Sequence, residues 1–186
     1  IFLMALPAHA QAQNTLVFAM GAYDILDDEG SLALDIEYRL TKPAFLGIKP
    51  FIGATLTTDK AAYSFGGLYK DFKITEKLFL TPSLAAGFYA NGQGPDLDSL
   101  IQFRPMVDIG YRLNKETKIS LGFSHISNGG LSSSNPGSEA LMIHYHRAWP
   151  LHTLNHNFKA ALIFSPSHKV NFTTNCIHKY VAIVNI

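Results

Sequence analysis

The stretch SLALDIEYRL, residues 31–40, decides how this chain folds. Leu32, Leu34, Ile36, Tyr38 and Leu40 alternate with Ala33, Asp35, Glu37 and Arg39. Successive side chains of a strand point to opposite faces, so this segment has one apolar wall and one charged wall. Wound as a helix, the same residues would scatter charge around every face. A second stretch, IQFRPMVDIGYRL at 101–113, repeats the design. Ile101, Phe103, Pro105, Val107, Ile109, Tyr111 and Leu113 fall on one side. Gln102, Arg104, Met106, Asp108, Gly110 and Arg112 fall on the other.

Outward from these two stretches the period of two continues almost without interruption. It predicts eight strands, at about 15–24, 31–40, 47–57, 62–73, 77–90, 99–113, 117–127 and 138–149. Turn-rich pieces separate them, among them Asp27-Asp28-Glu29-Gly30, Asn91-Gly92-Gln93-Gly94-Pro95, Asn114-Lys115-Glu116 and residues 132–137. Most segments match or exceed the roughly 9–11 residues that a tilted membrane strand needs. Alternate connections look longer, at 91–98 and 129–137, as expected where they face outside the cell and short turns face the periplasm.

Composition agrees with this patterning without deciding it. The chain has 186 residues, enough for one domain. Charged residues are 16% and aromatics 12%, and the formal charge of +1 gives no general electrostatic case for nucleic acid. There is no apolar run of about 18 residues, so no membrane-spanning helix is expected. An apolar composition without an apolar run fits a membrane barrel, whose lipid-facing residues are interleaved with polar ones. A soluble β-sandwich or lipocalin-like barrel has the same composition. Eight consecutive alternating strands with no helix favour closure into an eight-stranded antiparallel transmembrane barrel, because closure leaves no open edge. In so small a barrel the polar face fills the interior, where Asp35, Glu37, Arg39, Arg104, Asp108 and Arg112 can pair.

The two ends of the sequence read differently. Residues 1–6 are apolar, and Ala8-His9-Ala10 and Ala10-Gln11-Ala12 both fit a signal-peptidase site. The chain begins with Ile and shows no basic segment, so residues 1–12 read as part of a signal peptide. Residues 13–150 are the expected barrel. Residues 151–186 break the alternation, with no Asp or Glu anywhere after Glu139 and six of the eight histidines lying beyond it. This tail reads as frameshifted or read-through sequence, or as a poorly ordered extension. The lone Cys176 can form no internal disulfide. Asn171-Phe172-Thr173 fits a glycosylation sequon that means little in an exported bacterial protein.

One segment reads as chemistry: GFSHISNGGLSSSNPGSEALMIHY, residues 122–145. His125 and Ser127 are two apart on a strand and share a face, with Cα atoms roughly 6.5–7 Å apart, within reach of a hydroxyl–imidazole hydrogen bond. If the last two strands pair across their loop, Glu139 comes alongside His125, where a carboxylate would fix the imidazole tautomer. These residues continue the apolar series Ile119, Leu121, Phe123 and Leu141, Ile143, Tyr145. They therefore sit on the lipid side, where an ionisable group is costly and reads as functional. A site on the outer wall suits a substrate that itself lies in the membrane, a lipid. Asn128-Gly129-Gly130 and Asn135-Pro136-Gly137 are also ordinary turn chemistry, and that is compatible with a role in the site. His144 and His146, on the opposite face of the last strand, suggest a metal pair, but no third ligand is evident.

The run from His125 to Leu131, followed by Asn135-Pro136-Gly137 and Glu139, resembles the signature of the lipid A 3-O-deacylase family. The resemblance covers about fifteen residues, with the acidic residue twelve positions after the serine. It implies an eight-stranded barrel in the bacterial outer membrane, crossing it many times. It also implies a serine esterase that removes the 3-position acyl chain of lipid A, with Ser127 as nucleophile, His125 as general base and Glu139 as the orienting acid. Asn128, Gly129, Gly130 and Asn135 become candidates for oxyanion and substrate binding. No cofactor or metal is required. The implied partners are lipid A or lipopolysaccharide and the surrounding outer-membrane lipids, with homodimerisation left open. The competing readings are an esterase or phospholipase on another membrane lipid, and a non-enzymatic structural or adhesive barrel. The family normally ends with the strand that carries the acid, and residues 151–186 depart from that pattern.

Overall fold

A computed structural model describes residues 13–27 and 30–149. The proposed signal segment 1–12, the turn residues Asp28 and Glu29, and the tail 151–186 with its Cys176 and its sequon lie outside the described residues.

Nine strands follow one another: β1 (Asn14–Tyr23), β2 (Ser31–Arg39), β3 (Lys49–Thr57), β4 (Ala62–Tyr69), β5 (Phe72–Lys73), β6 (Leu78–Ala90), β7 (Ile101–Arg112), β8 (Thr117–Ser127) and β9 (Gly137–Trp149). Each long strand pairs antiparallel with its sequence neighbours, and β1 pairs with β9 from Asn14↔Trp149 to Tyr23↔Ala140. The ring is complete because β4 pairs with β6 from Ala62↔Ala90 to Tyr69↔Ser83. The two-residue β5 also pairs with β6, through Phe72↔Leu80 and Lys73↔Phe79. The expected strand 62–73 is thus one barrel position, broken at Lys70 and Asp71. The result is a closed eight-stranded antiparallel barrel, and none of its long strands presents an open edge to lipid.

The alternation read in the sequence is the alternation of inside and outside. Leu32, Leu34 and Ile36 are exposed, whereas Ala33, Asp35, Glu37 and Arg39 are buried. On β7, Ile101, Val107 and Ile109 face out, while Gln102, Arg104, Met106 and Asp108 face in. This arrangement inverts a water-soluble protein, and its solvent is hydrocarbon. Among the described residues no helix is long and apolar enough to cross a membrane.

The interior is packed with paired charge. Arg39 Nε donates to Glu37 Oε2 at 2.7 Å, and a terminal nitrogen of Arg39 reaches Asp108 Oδ2 at 3.2 Å. Arg104 spans Asp35 and Glu37, each at 2.6 Å. Its guanidinium also lies 3.9 Å from the centre of the Phe65 ring, which stacks on Tyr63. Charges taken out of water persist only when paired and hydrogen-bonded, and here three carboxylates share two guanidinium forks. Arg112, expected in this set, is instead exposed at the barrel end, because β7 terminates there.

Connections at the two ends are not uniformly long and short. The end reached by β8 carries the long connections 91–100 and 128–136, but also the tight turn 58–61. The opposite end carries the four-residue link 113–116 and the nine-residue link 40–48. The ladder between β7 and β8 has one gap. It passes from Phe103↔Ser127 to Met106↔Ser124, skipping Arg104 and Pro105. Proline has no N–H to donate, so a rung is lost there.

Candidate active site

The site is built on the first rungs of the β8–β9 hairpin. In the ladder His125 opposes Glu139, and Ser127 opposes Gly137. Directly opposed residues on one face bring their Cβ atoms to about 4.5–5.5 Å, close enough for a side-chain hydrogen bond. His125 Nδ1 and Glu139 Oε1 are 2.8 Å apart. With a carboxylate as acceptor, the Nδ1–H donates and the neutral ring keeps its lone pair on Nε2. The His125 side chain is 40% exposed and that of Glu139 19% exposed. Both project from the outer wall, above Phe123 and Leu121 on β8 and Leu141 and Ile143 on β9, all of them exposed. The backbone of Glu139 is held from the far side, where the Ile25 N–H donates to its carbonyl oxygen at 3.2 Å.

Ser127 ends β8 on the same outer face, half-buried, with Phe103 opposite it on the β7 side. Among the described residues the hydrogen bond of the His125 ring goes to Glu139, and none joins Ser127 to His125. The structure therefore brings His125 and Glu139 into contact and leaves Ser127 beside them. Hydroxyl–imidazole bonds of this kind are commonly loose before substrate arrives.

Asn128 is fully buried, and its amide is fully used. Nδ2 donates to the Leu97 carbonyl at 3.1 Å and to the Ser134 carbonyl at 2.7 Å. Oδ1 accepts from the Gly130 N–H at 2.8 Å, and the Asn128 carbonyl accepts from the Leu131 N–H at 3.2 Å. Gly129 and Gly130 have φ of +63° and +83°, the positive pair that a two-residue primed turn requires. The run Asn128-Gly129-Gly130 is thus turn chemistry in fact, and the Asn128 side chain clips the 128–136 loop to the 91–100 loop. Asp98 adds to the clip, since its Oδ2 accepts from the Ser132 hydroxyl at 2.6 Å and from the Ser134 N–H at 3.1 Å. Those two donors hold the Asp98 carboxyl below the usual carboxylate range. Asn135 is exposed on the loop and makes no hydrogen bond among the described residues.

Sequence reasoning missed the Leu97–Asp98 side of the clip, which left no signal, and read Gly137 only as part of the turn Asn135-Pro136-Gly137. His144 and His146 face the interior, His144 Nδ1 at 3.1 Å from Asp108 and His146 Nε2 at 2.8 Å from Ser120 Oγ. Among the described residues no group of three or more His, Cys, Asp or Glu is placed to hold a metal ion.

Fold and geometry together define an outer-membrane β-barrel that carries a hydrogen-bonded histidine and glutamate on its lipid-facing wall. The chain belongs to the lipid A 3-O-deacylase (PagL) family, whose model matches residues 28–148. It is similar to the crystal structure of the outer membrane enzyme PagL, with a TM-score of 0.56 and 15% identity over 73% of this chain and 99% of that one. It is similar also to the crystal structure of Neisserial surface protein A, with a TM-score of 0.57 and 11% identity over 75% of this chain and 98% of that one. At such identities the structural likeness speaks for the barrel alone. No curated protein sequence matches the chain.

Proposed function

We propose that this protein is a serine esterase of the outer membrane that hydrolyses the 3-position acyl ester of lipid A. The observation that carries the reading is the His125–Glu139 hydrogen bond on the lipid-facing wall, two rungs from Ser127 on the same face. An ion-bonded imidazole in that position has no use as packing. It has one as a base for a substrate whose acyl chains lie in the bilayer while its sugar lies at the surface.

The chemistry follows from the chain's own groups. Nε2 of His125 takes the proton of the Ser127 hydroxyl as Oγ attacks the ester carbonyl. Glu139 keeps Nδ1 protonated and stabilises the imidazolium that forms. The imidazolium returns the proton to the departing sugar oxygen. Water, activated by the same nitrogen, then cleaves the acyl-serine. The oxyanion needs fixed donors. The Asn128 amide and the Gly130 N–H are engaged with each other, so the backbone N–H of Gly129, unpartnered among the described residues, is the donor we assign. Asn135, exposed on the 128–136 loop, is the residue we assign to the sugar headgroup. All of these groups come from one chain, so the proposed reaction calls for no second copy and no metal.

The test is direct. The folded barrel, in detergent with purified lipid A, should release one 3-hydroxyacyl unit by mass spectrometry, and Ser127→Ala should release none. Release of fatty acid from phospholipid with lipid A left intact would replace the substrate and keep the esterase. No release from either lipid by the well-folded protein would refute the enzymatic reading.

A further inference from the structure

The imidazole of His125 does not stand upright on its strand. A Cβ built on Gly137 would fall 2.3 Å from His125 Cε1, 3.1 Å from Nε2 and 3.2 Å from Nδ1. The ring therefore lies across β9, with its Cε1 edge in the space where residue 137 would carry a side chain. Gly137 has no positive φ to explain its identity, unlike Gly129 and Gly130, and it is a regular rung opposite Ser127. The neighbouring Glu139 fixes one ring nitrogen and the empty space at 137 accepts the ring edge.

The geometry points to Gly137 as the seat of the general base, a positioning residue for the Ser127–His125 pair. The inference rests on the esterase reading for its catalytic consequence. Two residues apart on one strand, His125 and Ser127 can meet only if the imidazole leans along the strand. The ground it must cover on the β9 side is the outer face of residue 137, the direct partner of Ser127. Any side chain there would stand between base and nucleophile, or push the ring off the Glu139 carboxylate. Glycine at 137 lets one imidazole hold Glu139 with Nδ1 and turn Nε2 towards Ser127.

Gly137→Ala tests this, with Gly66→Ala as the control. Gly66 also faces outward, but a Cβ there would meet nothing nearer than 3.9 Å, an ordinary contact. Capture of Ser127 by a fluorophosphonate probe reads the nucleophile without depending on lipid A. Nitrogen NMR of the His125 ring reads its tautomer. Gly137→Ala should slow capture at least tenfold and mix the tautomers, while Gly66→Ala leaves both unchanged. Capture within twofold of the parent by folded Gly137→Ala would overturn the assignment. If the parent itself captures no probe, the esterase reading fails and the ring decides alone: mixed tautomers support the seat, and an unchanged Nδ1–H form overturns it. If Gly137→Ala does not fold, the background His125→Ala, which removes the ring, should restore folding. Failure there too would place the cost in the backbone and overturn the assignment.

Discussion

Removing the carboxylate of Glu139 separates the orienting role from every other role in the site. In Glu139→Ala the His125 Nδ1–H loses an acceptor at 2.8 Å. A hydrogen bond to a charged group contributes about 1.5–3 kcal/mol, and each 1.36 kcal/mol is tenfold in rate, so kcat should fall roughly 10- to 150-fold. The imidazole is 40% exposed near the end of β8, beside the 128–136 loop, where water at the membrane edge can replace part of the lost bond, so the fall should lie in the lower part of that range, about 10- to 30-fold. KM should stay within about twofold, because the carboxylate orients the base and the proposed substrate meets Ser127 first. Glu139→Gln should be at least as damaging. Its amide can turn its NH2 to Nδ1, which moves the ring proton to Nε2 and leaves no base facing the serine. The assay is the initial rate of 3-hydroxyacyl release from lipid A, on protein shown to be folded by its heat-modifiable migration. A folded Glu139→Ala that keeps kcat within twofold of the parent would refute the orienting role. A rise in KM at constant kcat would show instead that Glu139 binds substrate.

Three further outcomes follow from named contacts. Arg104→Met leaves Asp35 and Glu37 facing each other inside the barrel without their shared cation, and should lower stability by about 3–5 kcal/mol, read as the urea midpoint of the folded band. Asn128→Ala strands the Leu97 and Ser134 carbonyls and the Gly130 N–H; the 128–136 loop should become cleavable by protease and kcat should fall, while the barrel keeps its urea midpoint within error. The Asp98 clip should hold above the ordinary carboxylate pKa of about 4 and loosen as pH falls through the lower folded value, because a depressed carboxyl stabilises only while ionised. Hydrogen exchange of residues 128–136 across that range reads it, and Asp98→Asn should abolish the pH dependence.

What the sequence made legible was whatever repeats with the strand period. The alternation at 31–40 and 101–113 predicted which side chains face lipid, and Leu34, Ile36, Val107 and Ile109 do so. It predicted His125 and Glu139 on one outer face, and their hydrogen bond follows from the register of β8 with β9. It failed where no period operates. Arg112 has the right parity for the interior but sits at the last rung of β7, where the wall stops. The family resemblance implied Asn128 as a candidate for oxyanion and substrate binding; its contacts to Leu97 and Ser134 depend on two loops meeting, which spacing along one strand does not encode. The position of the imidazole over Gly137 was invisible for a related reason. A missing side chain carries no signal until the neighbouring ring is seen to occupy its place.

The interior and the outer site depend on each other through register. A one-residue slip of β9 against β8 would turn Glu139 inward and set His125 opposite a residue of the wrong face, since side chains alternate with a period of two. The outer wall alone resists such a slip weakly, because one aliphatic chain against lipid is much like the next. The inner wall resists it strongly. His146 of β9 meets Ser120 of β8, and His144 of β9 reaches past β8 to Asp108 of β7, which is in turn bound to Arg39. A slip would break the buried His146–Ser120 hydrogen bond and move His144 away from the Asp108 carboxylate. The polar interior, a poor source of stability, therefore has a use in specificity: its contacts to His146 and His144 favour the one β8–β9 pairing in which His125, Glu139 and Ser127 share the outward face.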